Sequence, residues 1–338
     1  MRYLLIVLLV VGLLSTGVNA QVQVKSPVKI IFDTDIGDDI DDALALAMLH
    51  ALADRGEVEI LAVTISKDNP WCAVYADILN CFYGRPDIPI GVVTNGKRPN
   101  DGYATTVASR KVDGQFVYRR NLESGTMAPN AVDLMRRVLS QQPDNSVVLI
   151  SVGPKTNIAR LLQSNPDKRS PMSGIDMVKS KVSNYIMMGG DFRESAKPEF
   201  NIKTDADAAR EVFKKWPTPI AITGFDIGKK VYFPASSIEK DYGYVKDHPV
   251  AEAYRAYAQM PYDRPTWDLT AVLYAARPDH GYFHLSEPGQ VTVDEKAVTH
   301  FTPAKDGKHR YFILPDDQCG AVLQACIKLA SSPPGAKE

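Results

Sequence analysis

The sequence predicts an α/β fold, an open and mainly parallel sheet with helices on both faces. Three observations carry that expectation. Short apolar, β-branched runs recur at 28–32, 58–65, 88–93, 146–152, 182–188 and 219–223, and each reads as a buried strand. Stretches with helical spacing separate them, the alternation that builds parallel sheets. Polar or acidic residues follow several of the runs, and open α/β sheets gather their ligands outside the carboxyl ends of their strands.

In order along the chain, the first strand holds Val28, Ile30, Ile31 and Phe32 and leads into six carboxylates within ten residues: Asp33, Asp35, Asp38, Asp39, Asp41 and Asp42. From Ala43 the spacing is helical, with Gly56 as its stop. The second strand, 58–65, runs into a polar turn over 66–70 and a helix over 71–82, and the third strand covers 88–93. The stretch 94–128 has no clear periodicity and the length of a lid. A helix over 130–139 and a strand over 146–152 follow, then a Gly153-Pro154 turn that starts another helix. The strand 182–188 ends in Met188-Gly189-Gly190. After the strand 219–223 come helices over 251–259 and from Trp267, the latter with Thr266 as N-cap. Runs at 290–293, 297–302 and 311–314 read as a small peripheral sheet, and a helix over 319–329 closes the chain.

Six like charges on one strand-to-helix turn are costly without compensation. A helix N-terminus offsets roughly 0.3–1 kcal/mol for each carboxylate it meets, too little for the set. A bound cation is the economical answer, and oxygen ligands without nearby Cys or His pairs favour Ca²⁺ or Mg²⁺ over zinc.

The chain has 338 residues, with 39 Lys and Arg against 40 Asp and Glu. A formal net charge of −1 and the lack of a basic block leave no electrostatic footprint for nucleic acid. Residues 1–20 read as a signal peptide: Arg2, an apolar stretch over 4–14, and Val18-Asn19-Ala20 before the cut. That apolar stretch is short for a membrane span. The expectation is an exported chain, periplasmic or secreted, that leaves the membrane after cleavage. One domain over 25–330 and a disordered tail over 331–338 make up the rest. Cys72 with Cys81, and Cys319 with Cys326, are spaced too far along their helices to bridge, whereas pairing between the two helices, or four free thiols, both stay open.

The motifs resemble those of the nucleoside hydrolases, the inosine/uridine-preferring family of calcium enzymes that cleave the N-glycosidic bond of ribonucleosides. Asp33-Thr34-Asp35-Ile36-Gly37 followed by Asp41-Asp42-Ala43-Leu44 resembles the family's aspartate signature, with Ile36 in place of Pro and two extra residues before the last pair. Gly153-Pro154-Lys155-Thr156-Asn157 resembles a second motif, with Lys155 in place of Leu, and Glu199-Phe200-Asn201 followed by Asp205 resembles a third. The segment between Met188 and Glu199 is short, and no counterpart of the family's Asn near the sugar's 5′ end is visible in it.

This resemblance implies a nucleoside hydrolase fold in which Asp35, Asp42, Asp268 and the carbonyl of Val152 hold Ca²⁺ and Asp35 serves as general base. It implies that Asp41, Asn69, Glu199 and Asn201 fix the ribose, with Asp39 a rival for the role of Asp41 and Met188 among the substrate contacts. Glu199 would also steady the developing oxocarbenium charge. Trp267 stands where many members have a His, which resembles the purine-specific branch and suggests stacking on the base, with Trp71 as a second wall. Tyr103, Phe116 and Tyr118 of the lid-like stretch could each close over that base. A homodimer or homotetramer is what the resemblance suggests. A haloacid-dehalogenase-type phosphohydrolase would also begin with Asp-x-Asp behind a first strand, and an exported protein that binds a riboside without cleaving it would share most of the motifs.

Overall fold

A computed structural model describes residues 26–98 and 100–337; the predicted signal peptide lies outside the described residues. The chain begins with β1 (Val28–Thr34), α1 (Asp41–Asp54), β2 (Val58–Lys67), α2 (Pro70–Phe82) and β3 (Ile90–Lys97). β1 pairs in parallel with β2 on one side and with the strand Val147–Ser151 on the other. From there the sheet continues in parallel through Val182–Met188, Ile220–Thr223 and His309–Ile313.

Successive residues of β1 point to opposite faces. Ile30 and Phe32 join the core beneath α1, α2 and the helices Trp267–Ala276 and Cys319–Ala330. Ile31 faces the core beneath Ala131–Ser140, Thr156–Gln163 and Ala206–Lys215. Both faces are thus covered, which is why the strands read as continuous apolar runs rather than alternating ones.

The chain moves outward from β1 through β2 to β3, then returns to the other flank of β1 with Val147–Ser151. The strand order reverses between β1 and Val147–Ser151, and a crevice opens at their carboxyl ends. Asp35 follows one of these strands and Val152 the other.

Several expectations need correction. The three late runs do not form a separate peripheral sheet. His309–Ile313 joins the parallel sheet, and Gly289–Val293 and Thr299–Pro303 extend it antiparallel from that edge. The stretch 94–128 holds a short helix, Tyr103–Ala108, a hairpin of Lys111–Val112 and Gln115–Phe116, and a 3₁₀ turn, Gly125–Met127. Tyr103 is buried, and its hydroxyl accepts a 2.9 Å hydrogen bond from the Gly37 amide, so it braces the aspartate turn. Phe116 is covered by the Arg120 guanidinium at 3.7 Å and the Lys111 ammonium at 4.3 Å, and Tyr118 is buried. The tail from Ser331, expected to be disordered, folds back on the end of α1: Ser332 is buried and accepts from Arg55 Nη2 at 3.2 Å, and the Gly335 amide donates to Asp54 at 2.7 Å. All four cysteines are free thiols, and no helix among the described residues is long and apolar enough to cross a membrane.

Gly37 shows how tightly the aspartate turn is seated. Its φ of +104° belongs to glycine, and a Cβ there would lie 2.7 Å from Cβ of Ala104 and 2.8 Å from Sγ of Cys72. Gly37→Ala is expected to destabilise the protein by about 2 kcal/mol or more in urea unfolding, from backbone strain and overpacking together. A midpoint equal to that of the unsubstituted chain would show that the turn gives way freely.

Candidate active site

The six clustered aspartates meet different fates once the chain is folded. Asp33 points into the core and accepts from Thr64 Oγ1 at 2.7 Å and Asn157 Nδ2 at 2.8 Å. Asp38 is gripped by the Arg98 guanidinium through bonds of 2.7 and 2.8 Å, with the buried Lys67 ammonium 3.6 Å away. Asp39 pairs with Arg264. Among the described residues no cationic side chain lies within ion-pair distance of Asp35, Asp41 or Asp42, and Asp268 at the start of Trp267–Ala276 joins them. All four are buried.

These four carboxylates share a cavity of about 200 Å³ with Asp39, Val152, Met188, Glu199, Asn201 and the rings of Phe200, Phe225 and Trp267. On its floor Asp41, Asp42 and Asp268 each place a carboxylate oxygen within 4.8 Å of the others. Asp41 belongs to α1, yet its Oδ2 accepts the Asp268 amide at 3.1 Å and so caps the neighbouring helix from outside. Thr266 holds the N-cap position as expected, but it gives its hydroxyl to the Val231 carbonyl at 3.0 Å rather than capping an amide. Asp42 takes a short bond from Thr34 Oγ1 through one oxygen, while the other is buried without a partner.

Burial and mutual repulsion outweigh the more distant charges of Lys155 and Arg264 in this cluster. Burial, reinforced by Asp38, pushes Asp35 up to about 8. Burial first, and then neighbouring aspartates, holds Asp41, Asp42 and Asp268 well above the usual carboxylate range. An all-oxygen donor set of crowded buried carboxylates, one with an orphaned oxygen, fits a hard divalent cation.

Glu199, which also lines the cavity, caps the short helix Phe200–Thr204. Its carboxylate accepts the amides of Asn201 at 2.9 Å and Ile202 at 3.1 Å, and that of Gly190 at 3.1 Å. Asn201 Nδ2 donates to the Val152 carbonyl at 2.6 Å, and both residues line the cavity. Trp267 and Phe225 form one wall, with ring centroids 5.6 Å apart and the indole N–H bonded to the Phe225 carbonyl at 2.8 Å. Phe200 stands half-exposed at the mouth.

Residues 30–310 match the profile of the inosine-uridine preferring nucleoside hydrolases. The chain belongs to that family. A pyrimidine-specific ribonucleoside hydrolase, RihA, of Salmonella schwarzengrund is 32% identical over 223 residues, which cover 62% of this chain. The match spans 64% of that relative's own length. Among solved structures, a plant nucleoside hydrolase aligns with a TM-score of 0.66 at 21% identity, covering 91% of this chain and all of its own. A purine-preferring ribonucleoside hydrolase from Gardnerella vaginalis aligns with a TM-score of 0.66 at 19% identity, covering 90% of this chain and 99% of its own. At such identities the two structures speak for the nucleoside hydrolase fold.

Within this family fold, Asp35, Asp41, Asp42, Val152, Met188, Glu199, Asn201, Trp267 and Asp268 converge on the cavity. Asn69 and Trp71 do not line it. Asn69 caps α2 by accepting the Trp71 amide at 2.9 Å and gives its own amide to Asn100 and Asp101, each at 3.3 Å. Trp71 packs half-buried against the core. Asp35 lies beside the tight carboxylate triad rather than in it, and Asp41 takes a place there. Phe225 went unremarked as a site residue because a Phe after a strand looks like core; only the return of its segment beside Trp267 reveals it.

The raised carboxylates give stability a definite pH dependence when divalent cations are chelated. Their folded pKa lies above the unfolded value, so the native state holds extra protons, and this contribution is lost as pH rises through the folded pKa. Buried His50, His248 and His309, at about 3, 3 and 4, act oppositely, but only up to their ordinary 6.5. The window from about 6.5 to 8 therefore belongs to Asp35 and its neighbours. In chelator, urea midpoints are expected to fall across that window and to level out when Ca²⁺ is added. A flat profile in chelator would mean that the floor is already neutralised.

Proposed function

We propose that this chain is an exported, calcium-dependent hydrolase of the N-glycosidic bond of ribonucleosides, with purine ribosides favoured. One observation carries the reading: four buried carboxylates, in direct contact with no cationic side chain among the described residues, sit at the point where the strand order reverses, beside an aromatic wall. Asp35, Asp42 and Asp268, with the Val152 carbonyl, would hold the Ca²⁺, and the position of Asp41 in the triad allows it to assist. A Ca²⁺ bound there supplies positive charge that lowers the proton affinity of a water molecule and attracts vicinal hydroxyls.

Asp35 accepts the proton of the attacking water, and the positive charge of a cation held beside it would keep its carboxylate ionised for that role. Asp41 and Asn201 orient the ribose. Glu199 is fixed by three backbone amides, so its charge is aimed before the sugar ring becomes cationic, the arrangement that makes electrostatic stabilisation effective. The base lies along Trp267 and Phe225, where a large flat ring gains most from stacking. No His lines the cavity among the described residues, which favours a leaving group activated by stacking over one protonated by imidazole. Export rests on residues 1–20 alone.

The deciding experiment presents a panel of nucleosides to the purified chain with and without a strong chelator. Ribose and free base are expected, inosine turning over faster than uridine, with activity lost on exhaustive chelation and restored by Ca²⁺. Asp35→Asn should lower kcat by about 10²–10⁴-fold. Full activity in metal-free protein would overturn the calcium assignment, and tight riboside binding without turnover would make the chain a binding protein. Faster turnover of uridine would align it with the pyrimidine-specific relative instead.

Trp267→Ala separates stacking from scaffolding. It should lower kcat for inosine while sparing p-nitrophenyl riboside, whose leaving group needs no help. Equal losses on both substrates would make Trp267 structural.

A further inference from the structure

Lys155 is fully buried, and none of the roles above uses it. It follows the strand Val147–Ser151 just past the Gly153-Pro154 turn, and its Nζ is surrounded by oxygens. Gly153 O lies at 2.6 Å, Met188 O at 2.8 Å, Ser151 Oγ at 3.2 Å and Ser151 O at 3.3 Å. An ammonium has three hydrogens to donate and no lone pair, whereas a neutral amine would turn its lone pair toward one of these carbonyls. A shell of acceptors therefore holds the charged form. Among the described residues Lys155 makes no direct ion pair, so its charge is not cancelled locally. Burial pulls its pKa down to about 8, and the carboxylates of Glu199, Asp33, Asp35 and Asp268 pull it back up.

We propose that Lys155 is a positioning residue and the resident counter-cation of the acidic floor. It ties together the carboxyl ends of two neighbouring strands, those that lead to Val152 and end at Met188, and it keeps the crowded carboxylates tolerable in the absence of a metal. The inference rests on the reading that the floor holds a divalent cation, and it assigns the chain a metal site that is shaped before the metal arrives. With an apolar side chain at 155, three backbone carbonyls would face one another without a donor, and the carboxylates would have no positive charge on that side.

Thermal unfolding of the full chain, followed by far-UV circular dichroism in chelator and in millimolar Ca²⁺, tests this. Lys155→Met is expected to lower Tm by about 10 °C in chelator, and by less than half as much with Ca²⁺, because the divalent ion replaces the missing charge. Adding Asp35→Asn to Lys155→Met should recover most of the loss in chelator, since one negative charge leaves with the positive one. Equal losses in the two conditions, with no recovery from Asp35→Asn, would overturn the counter-cation role and leave a hydrogen-bonding role alone. If Lys155→Met does not fold in chelator, Asp35→Asn is compared with the double variant. A small difference supports the proposal, and a difference of about 10 °C or more overturns it. Calorimetric titration of the unsubstituted chain with Ca²⁺ keeps the two readings apart: no binding there defeats the calcium assignment, while recovery by Asp35→Asn still decides the part played by Lys155.

Discussion

The structure turns on how negative charge is shared out at the end of β1. Six aspartates leave that strand, and the folded chain brings side chains from distant segments to three of them: Thr64 and Asn157 to Asp33, Arg98 and Lys67 to Asp38, Arg264 to Asp39. The rest converge with Asp268 and, among the described residues, have no cationic side chain in contact. Buried like charges at such separations are unfavourable by several kcal/mol unless they are protonated or matched by a cation. The fold therefore both creates the imbalance and confines it to one cavity, where ligand chemistry can use it.

The two extra residues of the aspartate turn have a physical account in this arrangement. Asp38 and Asp39 look outward to arginines that lie far apart in the chain, and they frame the cavity rather than furnish its floor. Arg98 in turn lies 4.9 Å over the ring of Phe200, and Arg264 lies 5.1 Å over that of Trp267. Each pair thus links the acidic turn to an aromatic ring at the cavity's edge. Pairing the outer carboxylates with arginines leaves the inner ones, with Glu199, as the carboxylates without a cationic contact among the described residues that line the cavity.

The succession of strands and helices along the chain and the grouping of Asp35, Asp41, Asp42, Val152, Glu199, Asn201 and Asp268 were legible because each rests on a local pattern or motif. A buried apolar run, a strand-to-helix turn and a capping carboxylate are visible in a few consecutive residues. Readings that depended on distant partners fared less well. Asn69 has the right address at the end of β2 but spends its side chain on capping α2 and on Asn100 and Asp101. Tyr103 sits in a stretch without periodicity and is recruited as a brace for Gly37. The late strands carried too little local signal to show that His309–Ile313 would pair with Ile220–Thr223 in parallel. Nothing within the 94–128 stretch foretold that its short helix would be anchored from the aspartate turn.

That late pairing has a consequence for how separable the molecule is. The turn after Val182–Met188 carries Gly190, whose amide holds Glu199, and the next residue, Asp191, exchanges two hydrogen bonds of 3.0 Å with Thr299 on the outermost antiparallel strand. Phe192 then stacks on Tyr311 of His309–Ile313, with centroids 4.8 Å apart. The far edge of the sheet thereby serves as the abutment against which the wall of the cavity is set. The aspartate end of the chain and its last hundred residues are not independent modules, because both supply carboxylates to the floor and the second also holds still the groups that face it.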